Sequence, residues 1–165
     1  MDNNLTQFRS DMIEFISSKY KLEGDVQSEI PSVDFFFSKT PTEQISIMYE
    51  PSLCVIFQCN KAVGFGDETL TYNNEEYLVS STHLPAKMKI LEASQESPYM
   101  SLRIKFSLED IYELLKNIKP TEEKLDKNAQ KGLYFGDMNI DIYESIYRLI
   151  MLLKRPQEDI DYLYP

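Results

Sequence analysis

From Val33 to Phe106 the apolar residues recur with a period of two, and this period limits what the chain can fold into more than any other feature. Phe35 and Phe37, then Ile45, Ile47 and Tyr49, then Leu53, Val55 and Phe57 occupy alternate positions. This is the spacing of extended strands, whose successive side chains point to opposite faces. The run from Met100 to Phe106 is the cleanest: Met100, Leu102, Ile104 and Phe106 alternate with Ser101, Arg103 and Lys105, so one face is apolar and the other polar. Turn signals at Asn60, Gly66-Asp67 and Asn73-Asn74 separate the runs and predict an antiparallel meander of about seven or eight strands. Such an array closes as a barrel or jelly roll.

Helical periods flank the strands. Leu5, Phe8, Met12, Phe15 and Ile16, following Asn3 and Asn4 as capping candidates, predict an amphipathic helix over residues 4–20 that ends before Gly24. After the last strand, Ser107 is a plausible N-cap with Asp110 three residues on, so residues 107–118 read as a helix stopped by Pro120. Residues 119–131 read as a solvated linker. Between Asp137 and Lys154, Ile142, Ile146, Leu149 and Leu153 repeat with steps of four, three and four, a seam able to pair with another helix or to pack on its own barrel. Arg155 suits the end of that helix electrostatically. Pro156 closes it, and QEDIDYL opens a short one, so the helical appendage spans residues 137–163.

Across the same strands a series of short motifs stands in a fixed order. Tyr49-Glu50-Pro51-Ser52 leads into the apolar run Leu53 to Phe57; Gln58-Cys59-Asn60-Lys61 forms a turn; Tyr72 precedes Tyr77-Leu78-Val79; then come Leu84-Pro85, and Ala93-Ser94 with Pro98-Tyr99. In this order and spacing the chain resembles the N-terminal, cupin-type domain of AraC-family transcription regulators. The clearest departure is Cys59, which stands where that family usually has glycine. Glycine tolerates positive φ and cysteine much less so, which leaves the geometry of this turn open. The resemblance extends more weakly to the C-terminal helical segment.

Composition narrows the function classes. With 165 residues the chain is long enough to bury a real core as one domain. Its 27 acidic against 17 basic residues give a net charge of −10, which repels a phosphate backbone and argues against DNA binding by this segment itself. The N-terminus has no charged region followed by an apolar one, and no apolar run approaches the roughly 18 residues of a membrane span. Cys54 and Cys59 read as buried thiols of a reducing cytoplasm, pointing to opposite faces of one strand and unable to bridge.

Few residues offer chemistry. Metal-dependent cupin enzymes use two or three histidines with a glutamate, and His83 is the single histidine. It reads as a loop residue, with a role in ligand contact or proton transfer as the alternative. The two thiols lack the exposed, base-assisted setting a nucleophile needs. Gly64-x-Gly66 lacks the third glycine of a phosphate cradle and reads as a hairpin turn. Glu75-Glu76 and Glu122-Glu123 read as solvated charge. Arg103 either faces solvent, the commoner outcome for arginine, or points into the lumen.

The fold expected is therefore mainly β with α: a cupin-like antiparallel β-barrel or jelly roll over residues 33–106, with an N-terminal helix and C-terminal helices, making one domain over residues 1–165. The resemblance implies a cytoplasmic effector-sensing and dimerisation domain. It would bind a small molecule, need no cofactor or metal, and act on DNA only through a helix-turn-helix domain expected downstream. If the lumen is the site, Arg103 would grip the effector, with Tyr49, Phe57, Tyr77, Tyr99 and His83 around it. Ile142, Ile146, Leu149 and Leu153 would form the homodimer seam. Two other readings stand beside this one. A metal-independent isomerase or epimerase would pair His83 with a lumen tyrosine. A pure interaction module would have its barrel filled by its own side chains.

Overall fold

The computed structural model describes residues 3–116 and 132–163. Helix α1 (Asn3–Lys19) leads into strands β1 (Gly24–Gln27), β2 (Val33–Ser38), β3 (Ile45–Tyr49), β4 (Ser52–Gln58), β5 (Asn60–Phe65), β6 (Glu68–Tyr72), β7 (Glu76–Ser80), β8 (Leu84–Glu92) and β9 (Tyr99–Lys105). Then follow α2 (Leu108–Leu115), β10 (Leu133–Asp137), α3 (Ile140–Met151), a short 3-10 turn (Leu152–Lys154) and α4 (Gln157–Leu163). The stop expected at Pro120 and the linker expected over 119–131 lie outside the described residues.

The strands form two antiparallel sheets. One has six strands in the order β1-β2-β9-β4-β7-β10 and the other four in the order β3-β8-β5-β6. The sheets face each other without closing into a hydrogen-bonded barrel, so of the two expected forms the chain takes the jelly roll. Among the described residues ten strands exceed the seven or eight expected. The surplus, β1 and β10, lies outside the alternating stretch; both are edge strands, in which packing on one neighbour suffices and the sequence signal is weak.

Alternation divides the large sheet between two interiors. Val33, Phe35, Phe37, Val55, Phe57, Met100 and Leu102 pack with Met12 and Ile16 of α1 and with Tyr143, Ile146 and Ile150 of α3. Each buried side chain of this size contributes roughly 1.5–3 kcal/mol of transfer free energy. The opposite face of the sheet turns inward, where Cys54, Ile56, Leu78 and Tyr99 meet Val63, Phe65, Tyr72, Met88 and Ile90 from the small sheet.

The helix starts are fixed by side chains. Ser107 and Asp110 exchange backbone-to-side-chain hydrogen bonds, each 3.0 Å, at the start of α2, a reciprocal cap. The Asn139 side chain accepts from the Ile142 backbone at the start of α3. The seam on α3 and the 3-10 turn after it divides: Ile146 and Leu153 are buried in the helix-side core, and Ile142 and Leu149 are only partly covered. Two of the four residues expected at a dimer interface are thus committed to the chain's own core, because α3 lies against both the sheet and α1.

Candidate functional site

A cavity of about 290 Å³ opens between the sheets, lined among others by Asp34 and Phe36 of β2, Ile45, Ile47, Met48 and Tyr49 of β3, Cys54, Lys61, Met88, Ser101 and Arg103. Strand parity explains this lining. Asp34 and Phe36 alternate with Phe35 and Phe37, and Ser101 and Arg103 alternate with Met100, Leu102 and Ile104, so one side of each strand closes the core and the other lines the cavity, which Leu102 of the core also borders. The mouth lies at the edge of the small sheet, where Met48 is 57% and Ile45 40% exposed.

Lys61 is buried at 6% exposure, on the same parity of β5 as buried Val63 and Phe65. Its ammonium lies 5.5 Å from the centre of the Tyr72 ring and 5.9 Å from that of Tyr49, within cation–π range. Among the described residues no carboxylate stands within ion-pair distance of it. The buried Tyr72 hydroxyl has no hydrogen-bond partner, and those of Tyr49 and Tyr99 make no well-formed hydrogen bond beyond their approach to Lys61 and, for Tyr99, Ser101. Burial works against charge on Lys61, but the surrounding phenols offset it and hold the lysine pKa above its ordinary value. Burial in turn pushes the Tyr49 phenol up to about 12, against the opposing pull of Lys61, and raises Tyr72 and Tyr99 in the same way. At neutral pH the site holds a lysine cation ringed by neutral phenols.

Arg103 turns to the cavity, where its side chain remains 37% exposed. It reaches Asp34 through Nε at 3.1 and 3.2 Å and through Nη2 at 2.8 Å, a forked pair that fixes both groups. The Asp34 hydrogen bonds raise the Arg103 pKa further. Lys105 adds a second cation to Asp34 at 3.6 Å, so this carboxylate is fully engaged.

Of the residues the sequence offered for ligand contact, Tyr49 and Arg103 line the cavity, and Tyr99 lies in the same interior beside it. Phe57 does not; it points into the helix-side core, because β4 is apolar on both faces and its pattern does not reveal which face turns inward. Tyr77 also lies on the helix side, its ring over Gly136 of β10, where any side chain would collide with it. His83 is exposed before β8 and does not line the cavity. Sequence reasoning missed Lys61, although its parity with Val63 and Phe65 was a usable signal. Among the described residues no group of three or more His, Cys, Asp or Glu is placed to hold a metal ion.

At the turn before Lys61, Cys59 adopts φ 71°, the one positive φ of a non-glycine residue among the described residues. The backbone thus keeps the glycine-type turn despite the substitution. Its thiol, half-buried and not sealed in a strand as expected, donates to the Ser97 carbonyl at 3.3 Å. Cys54 is buried in the inner face of β4, which pushes its thiol pKa up and makes it a poor nucleophile.

Among curated proteins none matches the chain by sequence. Solved structures share its fold: unsaturated-fatty-acid-bound wild-type ToxT from Vibrio cholerae strain SCE256 at a TM-score of 0.52 and 8% identity, covering 80% of this chain and 50% of ToxT. An apo ToxT variant from the same strain gives 0.50 and 8%, covering 86% and 53%. The chain therefore spans about half the length of these ToxT structures. A cupin-2 domain protein from Shewanella frigidimarina NCIMB 400 aligns over 60% of this chain and 98% of its own, at a TM-score of 0.39 and 13% identity. No helix among the described residues is long and apolar enough to cross a membrane. The family model for the AraC-type transcriptional regulator N-terminus matches residues 29–165, and the chain belongs to that family.

Proposed function

We propose that this domain senses a small-molecule effector in the cavity between its sheets and passes the binding signal to the helices packed behind the large sheet. The observation that carries this reading is the cavity itself: its apolar walls open at Ile45 and Met48, and polar groups converge on it from Lys61, Ser101 and Arg103. A cavity with apolar walls and a few convergent polar groups is the usual form of a ligand site. A filled interior would instead have favoured a pure interaction module. ToxT, which shares the fold, is known with an unsaturated fatty acid bound, and this agrees with a sensor reading.

The path to the helices is short. Arg103 and Ser101 face the cavity, and the intervening Leu102 packs on the helix-side core, so a ligand that shifts β9 shifts that packing. Regulation requires that the ligand bind two arrangements of the domain with different affinity. The signal would be read by a DNA-binding domain outside residues 1–165, since the acidic charge of this segment disfavours contact with phosphates. Homodimerisation would use Ile142 and Leu149, which flank a groove with Leu53 and Ile104; a monomer in sedimentation equilibrium at high concentration would remove this part. The domain is read as a non-enzyme, because His83 does not stand with the tyrosines of the cavity.

Thermal-shift screening of metabolite libraries tests the sensor reading. A ligand at a hundred times its dissociation constant adds about 2.7 kcal/mol of stability. Stabilisation that is lost when the mouth is filled by Met48→Trp supports the cavity as the site. Stabilisation indifferent to that change moves the site elsewhere.

A further inference from the structure

We infer that the ligand of this cavity is a small apolar molecule bearing one anionic group of the carboxylate class, with Lys61 as its counter-ion. The inference rests on the cavity being the effector site, and goes beyond it by naming the chemistry.

The charges around the cavity are unevenly satisfied. Arg103 and Lys105 share the Asp34 carboxylate and Asp25 also lines the cavity, so two carboxylates stand against these two cations. Lys61 is more deeply buried and has no carboxylate partner among the described residues. An ammonium left in this state is among the least favourable arrangements a protein interior can hold. Its cation–π contacts with the Tyr49 and Tyr72 rings offset part of that penalty. Of these phenols Tyr72 presents a hydroxyl with no partner, and Tyr49 and Tyr99 hold theirs beside Lys61; a hydroxyl donates readily to an oxyanion. Cation and donors therefore ask for the same thing, a negatively charged oxygen.

The remaining lining bounds the rest of the ligand. Phe36, Ile45, Ile47, Met48 and Met88 give the cavity that holds Lys61 an apolar lining. A volume of about 290 Å³ lies at the low end of small-molecule sites, roughly 300–1,000 Å³. With one unmatched cation available, a monoanion fits and a phosphate dianion does not. The chain carries a net charge of −10, so general electrostatic attraction does not draw anions to it, and the preference has to come from this local site.

Two measurements on the purified chain test this. In calorimetric titrations, octanoate and phenylbutyrate are compared with their methyl esters. The carboxylates should bind roughly tenfold to a hundredfold more tightly, the worth of a charged hydrogen bond, and Lys61→Gln should erase the difference. Equal binding of acids and esters, or a preference that survives Lys61→Gln, overturns the anion inference while leaving the cavity as a ligand site. Failure of both series to bind overturns it too, and a neutral compound found by the thermal screen would then show that the sensor reading stands without it. The second measurement needs no ligand. Lys61→Met keeps all but the last atom of the side chain's length and removes the unmatched charge, so the ligand-free protein should melt higher by at least about 2–4 °C. A lower melting temperature would make Lys61 a structural member of the tyrosine cage and overturn its role as a waiting counter-ion.

Discussion

Asp34 and Phe35 are neighbours in β2 and belong to different interiors. Phe35 is 1% exposed and packs with Phe37 and Tyr20 in the helix-side core. Asp34 turns to the cavity and is held by two cations. The same contrast runs through β4 and β9, where Cys54, Ser101 and Arg103 face inward and Val55, Met100 and Leu102 face the helices. The helix side is a core that stabilises; the cavity side holds a buried ammonium without a carboxylate and the unpartnered Tyr72 hydroxyl, which a core built only for stability would replace. Local departures of this kind from well-satisfied packing are where function is to be expected.

Substitutions that differ only in the face they touch sharpen the contrast. Phe35→Ala should have the largest effect, a loss of about 3–5 kcal/mol in urea unfolding, with binding at the cavity retained by the fraction that stays folded. Asp34→Ala, one residue away, should lose only about 1–2 kcal/mol. This lies below the 3–5 kcal/mol of breaking a fully buried pair, because the Arg103 side chain is 37% exposed and water screens the freed charge. It should also change binding: with Arg103 released, dicarboxylates should gain on monocarboxylates in calorimetric titration. Equal losses from the two variants would erase the distinction between the faces.

Smaller changes test the edges of this account. Cys59→Gly should stabilise by about 0.5–1 kcal/mol, since a side chain at φ 71° is strained by roughly 1–2 kcal/mol and glycine gives part of that back through unfolded-state entropy. A loss of stability would show that the thiol contact to Ser97 outweighs the strain. The smallest effect concerns acid. Partial burial opposes ionisation of Glu29, but the Tyr20 hydroxyl, donating at 2.6 Å, and Lys19 together hold its pKa below the ordinary glutamate value. A depressed carboxyl stabilises the fold above the unfolded value of about 4.3 and loses that contribution as pH falls through the folded value. Glu29→Gln should therefore flatten the decline of stability below about pH 4, by a small amount because the side chain is 34% exposed.

The strands with one polar face were legible from sequence, and so were the helices whose apolar stripes meet the large sheet. Alternation in β9 fixed its two faces and left only the destination of Arg103 open, which the Asp34 carboxylate from β2 decides. In β4 the run Leu53 to Phe57 is buried on both sides, between helices and cavity, so no pattern could assign Phe57 to the correct interior. Tyr77 was misplaced for a related reason: what covers it is Gly136 of β10, a strand distant in sequence that pairs with β7. Lys61 was legible, since a lysine in phase with Val63 and Phe65 is either an error of register or a functional cation.

The most direct test uses methionines that fall on both sides of the large sheet. Met48 and Met88 line the cavity, and Met12 and Met100 sit in the helix-side core. With their methyl groups labelled with carbon-13, titration with phenylbutyrate should move the resonances of Met48 and Met88 first and furthest, leaving Met12 and Met100 to follow only weakly. Shifts led by Met12 or Met100, with Met48 and Met88 unmoved, would place the ligand behind the sheet and contradict the account.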